Sequence, residues 1–192
     1  MERKWIQTED FFIGNFGEPE ATDEIIKSLP DNLEFNMGTM NSRENNDFRR
    51  CMVCAMDVRE SNFIEEGLRN IIFNVNRNSW NFDITGWAGP IQFLKYIGKG
   101  HHITWHSDIK EYERRRILRP KPTIDNRKLS LVYCLSKESD YDGGEFEIEK
   151  SDGSIYSIKF DYGDFIIFPA DRRHRVKPLK GGLRFAMAGW FT

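Results

Sequence analysis

Histidine is scarce in this chain, with four in 192 residues, and three of them, His101, His102 and His106, fall within six positions. The triplet His106-Ser107-Asp108 sets two ligand-type side chains at i and i+2, which an extended segment projects to one side. With 14 Asp in the chain, that spacing is a common coincidence and gains weight only from a partner. The partner comes 68 residues after His106, where His174 opens the run His174-Arg175-Val176-Lys177-Pro178, and Arg184 follows ten positions later behind Gly181-Gly182-Leu183. Two neutral imidazoles and one carboxylate form a facial set that holds a non-haem Fe(II) and leaves three coordination positions open. Those positions suit a bidentate 2-oxo acid and O2. A dicarboxylate co-substrate also needs a cation for its far end, and a buried Arg offers a two-pronged match without losing its proton.

The order of these parts is specific. Tyr96-Ile97-Gly98-Lys99-Gly100, five residues, His106-Ser107-Asp108, then Gly143-Gly144-Glu145-Phe146, Phe168-Pro169, His174-x-Val176-x-Pro178, Gly182-x-Arg184 and Trp190 together resemble the Fe(II)/2-oxoglutarate-dependent dioxygenases. Within that family the chain is most similar to the prolyl 4-hydroxylase-like group, over residues 92–192. The resemblance implies a double-stranded β-helix with His106, Asp108 and His174 on the iron, Arg184 on the 2-oxoglutarate C5 carboxylate, and Tyr96 as a further co-substrate residue. It implies hydroxylation of a C–H bond, of peptidyl proline first of all, with O2 consumed and succinate and CO2 released. Ascorbate is then the expected reductant for stalled iron. Two positions depart from the family pattern: Ile103 stands where an aromatic is common, and Cys134 stands where the fourth family strand carries a hydroxylated or aromatic pocket residue.

A peptide or protein is the expected partner. Nucleic-acid demethylases of the same family carry a second Arg six positions after the co-substrate Arg, whereas Trp190 stands there here, so nucleic acid is a weaker expectation. A free amino acid is a further alternative. Of a different class, a cupin-like metal-binding module shares the spacing from Gly100 to Asp108 but lacks the usual second His or Glu and has no need of Arg184. His101 and His102 read as residues near the mouth, since a third imidazole would close a position the chemistry needs open. Cys51-Met52-Val53-Cys54 has CxxC spacing but lies in an apolar strand-like run with no helix after it, Cys134 reads as a small buried filler, and Trp190 as core. The stretch 109–128 holds eight Lys or Arg against three acids, a local excess of +5, which suits a lid or substrate arm as well as a solvated loop.

The elements that must position these residues are mostly strands. At 192 residues the chain is read as one domain, with 1–90 a helix-containing support and 91–192 a β-helix core. The fold class is mainly β (α+β), the core drawing on 15 Phe, 5 Trp and 6 Tyr. Strands are expected at 81–85, 91–97, 101–106, 127–135, 145–149, 154–160, 164–168, 174–177 and 183–191. Leu129, Leu131, Tyr133 and Leu135 should face helices, while Ser130, Val132 and Cys134 should face a cavity together with Arg184, Ala186, Ala188 and Trp190. One helix is expected over Pro19–Leu29, with Ile25, Ile26 and Leu29 on one face and Pro30 closing it. A second begins at an Asn62/Glu65 capping box and repeats Ile64, Leu68, Ile71, Ile72 and Val75, and both helices are expected on the outer face of the major sheet. A net charge of -2 gives no global field toward DNA or an anionic membrane, the apolar runs are too short to span a bilayer, and three Cys argue for reduced thiols. A soluble, cytoplasmic protein is the expectation.

Overall fold

The computed structural model describes residues 5–15, 19–29, 34–37, 39–40, 43–44, 48–109 and 126–192. Pro30 and residues 110–125 of the basic loop lie outside them. The described strands of the first half are β1 (Ile6–Gln7), β2 (Phe12–Asn15), β3 (Asn36–Met37), β4 (Thr39–Met40), β5 (Arg43–Glu44), β6 (Arg49–Arg50), β7 (Met52–Met56) and β8 (Ile91–Ile97). The second half adds β9 (His102–His106), β10 (Leu129–Cys134), β11 (Tyr141–Gly143), β12 (Phe146–Glu149), β13 (Ile155–Ile158), β14 (Asp164–Pro169), β15 (His174–Val176) and β16 (Leu179–Phe191). Helix α1 spans Pro19–Lys27, and α2 (Arg69–Ser79) continues a π-helical segment at Phe63–Leu68.

Two antiparallel sheets face each other as a double-stranded β-helix. The major sheet runs β1-β2-β14-β10-β16-β8-β7-β3 with β11 paired to β16, and the minor sheet runs β13-β12-β15-β9-β6. Strand alternation gives the major sheet two buried faces. Its outer face presents Leu129, Leu131, Tyr133, Leu135 and Met187 to Ile25, Ile64, Leu68, Ile72 and Val75 of the helical segments. Its inner face packs Tyr96, Val132, Cys134, Ala188 and Trp190 against Ile103, Phe146, Ile148 and Val176 of the minor sheet. The face assignment read from β10 and β16 therefore holds, because a period of two leaves no third direction for a side chain. No described helix is long and apolar enough to cross a membrane.

Local expectations fail where a side chain captures the backbone. Residues 81–85 form no strand: Asn76 donates from Nδ2 to the Phe82 carbonyl at 2.8 Å and accepts from the Phe82 N–H at 3.0 Å, and Asn81 adopts φ 52°. The Asn62 side chain makes no cap bond; Ser61 Oγ accepts from the Ile64 N–H at 3.3 Å and takes that role. Ile26 is 36% exposed, so Ile25 and not Ile26 anchors α1. The last strand starts at Leu179 rather than 183, passing through Gly182 at φ 81° where a Cβ would strike the Asp140 carbonyl. The N-terminal half also contributes strands to both sheets, beyond its helices.

Candidate metal centre

Cross-strand pairing brings the scattered ligands together. His106 ends β9 and lies opposite His174 on β15, with ring centroids 4.2 Å apart. Asp108 follows in the turn after β9, held by its N–H donating to the Ala170 carbonyl at 2.9 Å. One ligand atom from each of His106, Asp108 and His174 lies within 4.8 Å of the others, and Asp108 Oδ2 is 3.6 Å from His174 Nε2.

The imidazoles are oriented before any ligand arrives. His106 Nδ1 donates to the Thr104 carbonyl at 2.8 Å and His174 Nδ1 to the Arg172 carbonyl at 3.0 Å. Each bond fixes the tautomer and leaves the Nε2 lone pair for a cation. Phe146 stacks on the His174 ring at 5.5 Å, Phe168 meets its edge at 4.7 Å, and Phe48 meets His106 at 5.4 Å. Burial, with His174 alongside, pushes the His106 imidazole down to about 4 and keeps it neutral. For Asp108, burial opposes the charge, but His174, His106, Ser130 and Trp190 outweigh it and hold the carboxyl below its ordinary range. Two imidazole Nε2 atoms beside a carboxylate form the donor set that a divalent cation requires.

On the major sheet, Tyr96 of β8 lies opposite Arg184 of β16. Arg184 is fully buried, and its Nε, Nη1 and Nη2 have no hydrogen-bond partner, nor has the Tyr96 hydroxyl. A buried guanidinium without an anion is costly, so Arg184 suits a ligand that brings a carboxylate. Gly144, at φ 67°, makes room: a Cβ there would meet Leu179 at 2.7 Å and the Arg184 side chain at 3.4 Å.

The structure thus brings His106, Asp108 and His174 into one cluster and places Tyr96 opposite Arg184 on the major sheet. His101 and His102 stay outside the cluster, His101 Nδ1 accepting from the Ile97 N–H at 3.1 Å and His102 Nδ1 donating to the Gly100 carbonyl at 2.8 Å. Cys51 packs in the inner cluster and Cys54 in the outer one, on opposite faces of the sheet, and both are free thiols. Cys134 is buried between the sheets. Sequence reasoning placed Ser130 on the inward face but gave no role to this residue, whose Oγ donates to Asp108 Oδ2 at 2.6 Å, or to Arg127, stacked 3.7 Å over Trp190. A small hydroxyl on an otherwise apolar inward face was the available signal for Ser130.

The sequence model of the 2OG-Fe(II) oxygenase superfamily matches residues 91–192. A PKHD-type hydroxylase of Cupriavidus pinatubonensis is 26% identical over 139 residues, covering 72% of this chain and 51% of that one. The chain spans about half or less of the length of the curated relatives it matches. Among solved structures, a Pseudomonas putida prolyl-4-hydroxylase superposes with a TM-score of 0.68 at 17% identity, covering 99% of this chain and 92% of its own. A Trichoplax adhaerens prolyl hydroxylase, solved with a hypoxia inducible factor peptide, gives 0.71 at 19% identity over 96% and 84%. At these identities the likeness is one of fold.

Proposed function

The chain belongs to the 2OG-Fe(II) oxygenase superfamily, and we propose that it is a 2-oxoglutarate-dependent dioxygenase that hydroxylates a prolyl residue of a peptide or protein. The observation that carries this reading is the occurrence in one β-helix of the His106, Asp108 and His174 cluster and of a buried Arg184 that has no anion of its own. When bound, Fe(II) and 2-oxoglutarate supply O2 activation and oxidative decarboxylation to succinate and CO2, coupled to hydroxylation of a C–H bond. His106, Asp108 and His174 hold the metal, and the backbone carbonyls of Thr104 and Arg172 keep both imidazoles in the ligating tautomer. Ser130 holds the Asp108 carboxylate. Arg184 and Tyr96 take the far carboxylate of the co-substrate, and Phe146, Phe168 and Trp190 keep water from the reacting centre. Ascorbate completes the scheme as a reductant of stalled iron.

The prolyl substrate is supported by the PKHD-type relatives and by the fold shared with prolyl hydroxylases. Anaerobic addition of Fe(II) and 2-oxoglutarate should give a visible charge-transfer band, lost in His106→Ala and Asp108→Ala. Succinate formation should then respond to proline-rich peptides and not to methylated oligonucleotides or free amino acids. A folded wild type without the band refutes the dioxygenase reading, and a response to oligonucleotides alone refutes the prolyl one.

A further inference from the structure

The N-terminal half sends one strand to the minor sheet, beside the strand that ends in His106. Strand β6 lies along β9, with Arg49 opposite Ile103 and Arg50 opposite His102. The preceding residue, Phe48, accepts at its carbonyl from the N–H and hydroxyl of Thr104, at 2.9 and 3.2 Å, and meets the His106 ring. From this edge the Arg49 side chain crosses toward the major sheet, where Nη1 donates to Gln92 Oε1 at a long 3.4 Å.

Register shows where that contact lies. Gln92 is opposite Ala188, and Tyr96, at the other end of β8, is opposite Arg184. Trp190, two residues beyond Ala188, is opposite Ser130, which holds Asp108. Gln92 and the Arg49 contact therefore lie nearer the Ser130 and Trp190 pair than Arg184 does.

Arg49 is poorly satisfied there. Its Nε is buried without an acceptor, and among the described residues no carboxylate pairs with it. Its charge reaches Cys51, Tyr96 and His106, all neutral groups. The space between the sheets thus holds two cations, whereas the co-substrate has one far carboxylate, which Arg184 matches. With Nη1 turned to Gln92, the buried donor left over is the single N–H of Nε. One directed N–H suits one carbonyl oxygen better than the paired bonds a carboxylate takes from a guanidinium.

We propose that Arg49, steadied by Gln92, is a substrate-binding residue that donates to a backbone carbonyl of the peptide beside the residue to be hydroxylated. This rests on the peptidyl reading above and adds the residue that grips the peptide. The test loads the full chain with Mn(II) and 2-oxoglutarate and measures fluorescent proline-rich peptide binding by anisotropy, with co-substrate affinity measured separately by calorimetry. Arg49→Ala should weaken peptide binding tenfold or more while 2-oxoglutarate affinity stays within twofold, and Arg49→Lys should restore part of the loss. Circular dichroism identifies variants that remain folded, and Arg49→Gln replaces any that do not. Peptide affinity within twofold of wild type removes Arg49 alone. An equal loss of 2-oxoglutarate affinity places Arg49 on the co-substrate and overturns the proposal. A wild type that binds free amino acids and no peptide overturns the peptidyl reading and this assignment together.

Discussion

Tyr96 and Arg184 face each other across the β8 and β16 pair, with the guanidinium carbon 5.1 Å from the ring centroid. The ring face supplies some of the negative potential that the buried cation lacks, on the order of 1–2 kcal/mol, and leaves the remaining need to a ligand. A pocket built this way is less stable empty than filled.

That imbalance has a measurable consequence in Arg184→Met. Replacing an unpaired buried charge by an apolar chain should leave the apoprotein at least as stable as wild type in thermal melts. The same variant should lose roughly 2–5 kcal/mol of 2-oxoglutarate binding, so that the co-substrate no longer raises Tm. A variant that is both less stable empty and still stabilised by 2-oxoglutarate would contradict the assignment.

Ser130→Ala removes the 2.6 Å bond to Asp108 Oδ2 while leaving all three candidate ligand residues in place. Loss of an outer hydrogen-bond partner typically costs about 10–100-fold in metal affinity. Calorimetry with Mn(II) should show that loss while the melting curve of the apoprotein moves little. Unchanged Mn(II) affinity would make Ser130 mere packing.

Burial pushes the Cys51 thiol up to about 11, against an ordinary value near 9.0. Folded protein therefore keeps a proton that the unfolded chain gives up above pH 9, and stability should fall as pH rises from 9 toward 11. The contribution of this one group is on the order of 2–3 kcal/mol by the top of that window. Denaturant melts of wild type and Cys51→Ala should diverge in slope across it, the variant being flatter. At pH 7.5 the native thiol should also resist iodoacetamide, and rapid labelling would contradict its burial.

Gly144 adopts φ 67° and lies against both Leu179 and Arg184. Gly144→Ala forces a left-handed conformation on a residue with a Cβ, at about 1–3 kcal/mol, and crowds the guanidinium. The expected result is a lower melting temperature together with a raised KM for 2-oxoglutarate. A change in stability alone would separate the turn from the pocket.

Much of the site was legible because its chemistry needs particular residue types in a particular order. His106, Asp108, His174, Arg184 and Tyr96 all emerge from motif spacing and resemblance, and the inner and outer faces of β10 and β16 follow from alternation. The misses share one cause. Residues 81–85 carry strand-like composition, yet the Asn76 amide binds Phe82 at both its N–H and its carbonyl, and Ser61 rather than Asn62 caps the helical segment. Such captures act over only three and six residues, and they compete with the strand and cap that composition favours.

By itself the sequence pointed to the candidate ligand set, the parity of the strand faces and the family, since periodicity and residue chemistry are local properties. Only the tertiary structure decided which of those side chains meet. Cross-strand register places His174 opposite His106 across 68 residues, sets Arg184 over Tyr96, and brings Ser130 to Asp108 and Arg49 to Gln92. Register depends on how two sheets pack and twist around one core, and a shift of one residue would turn each of these side chains to the opposite face.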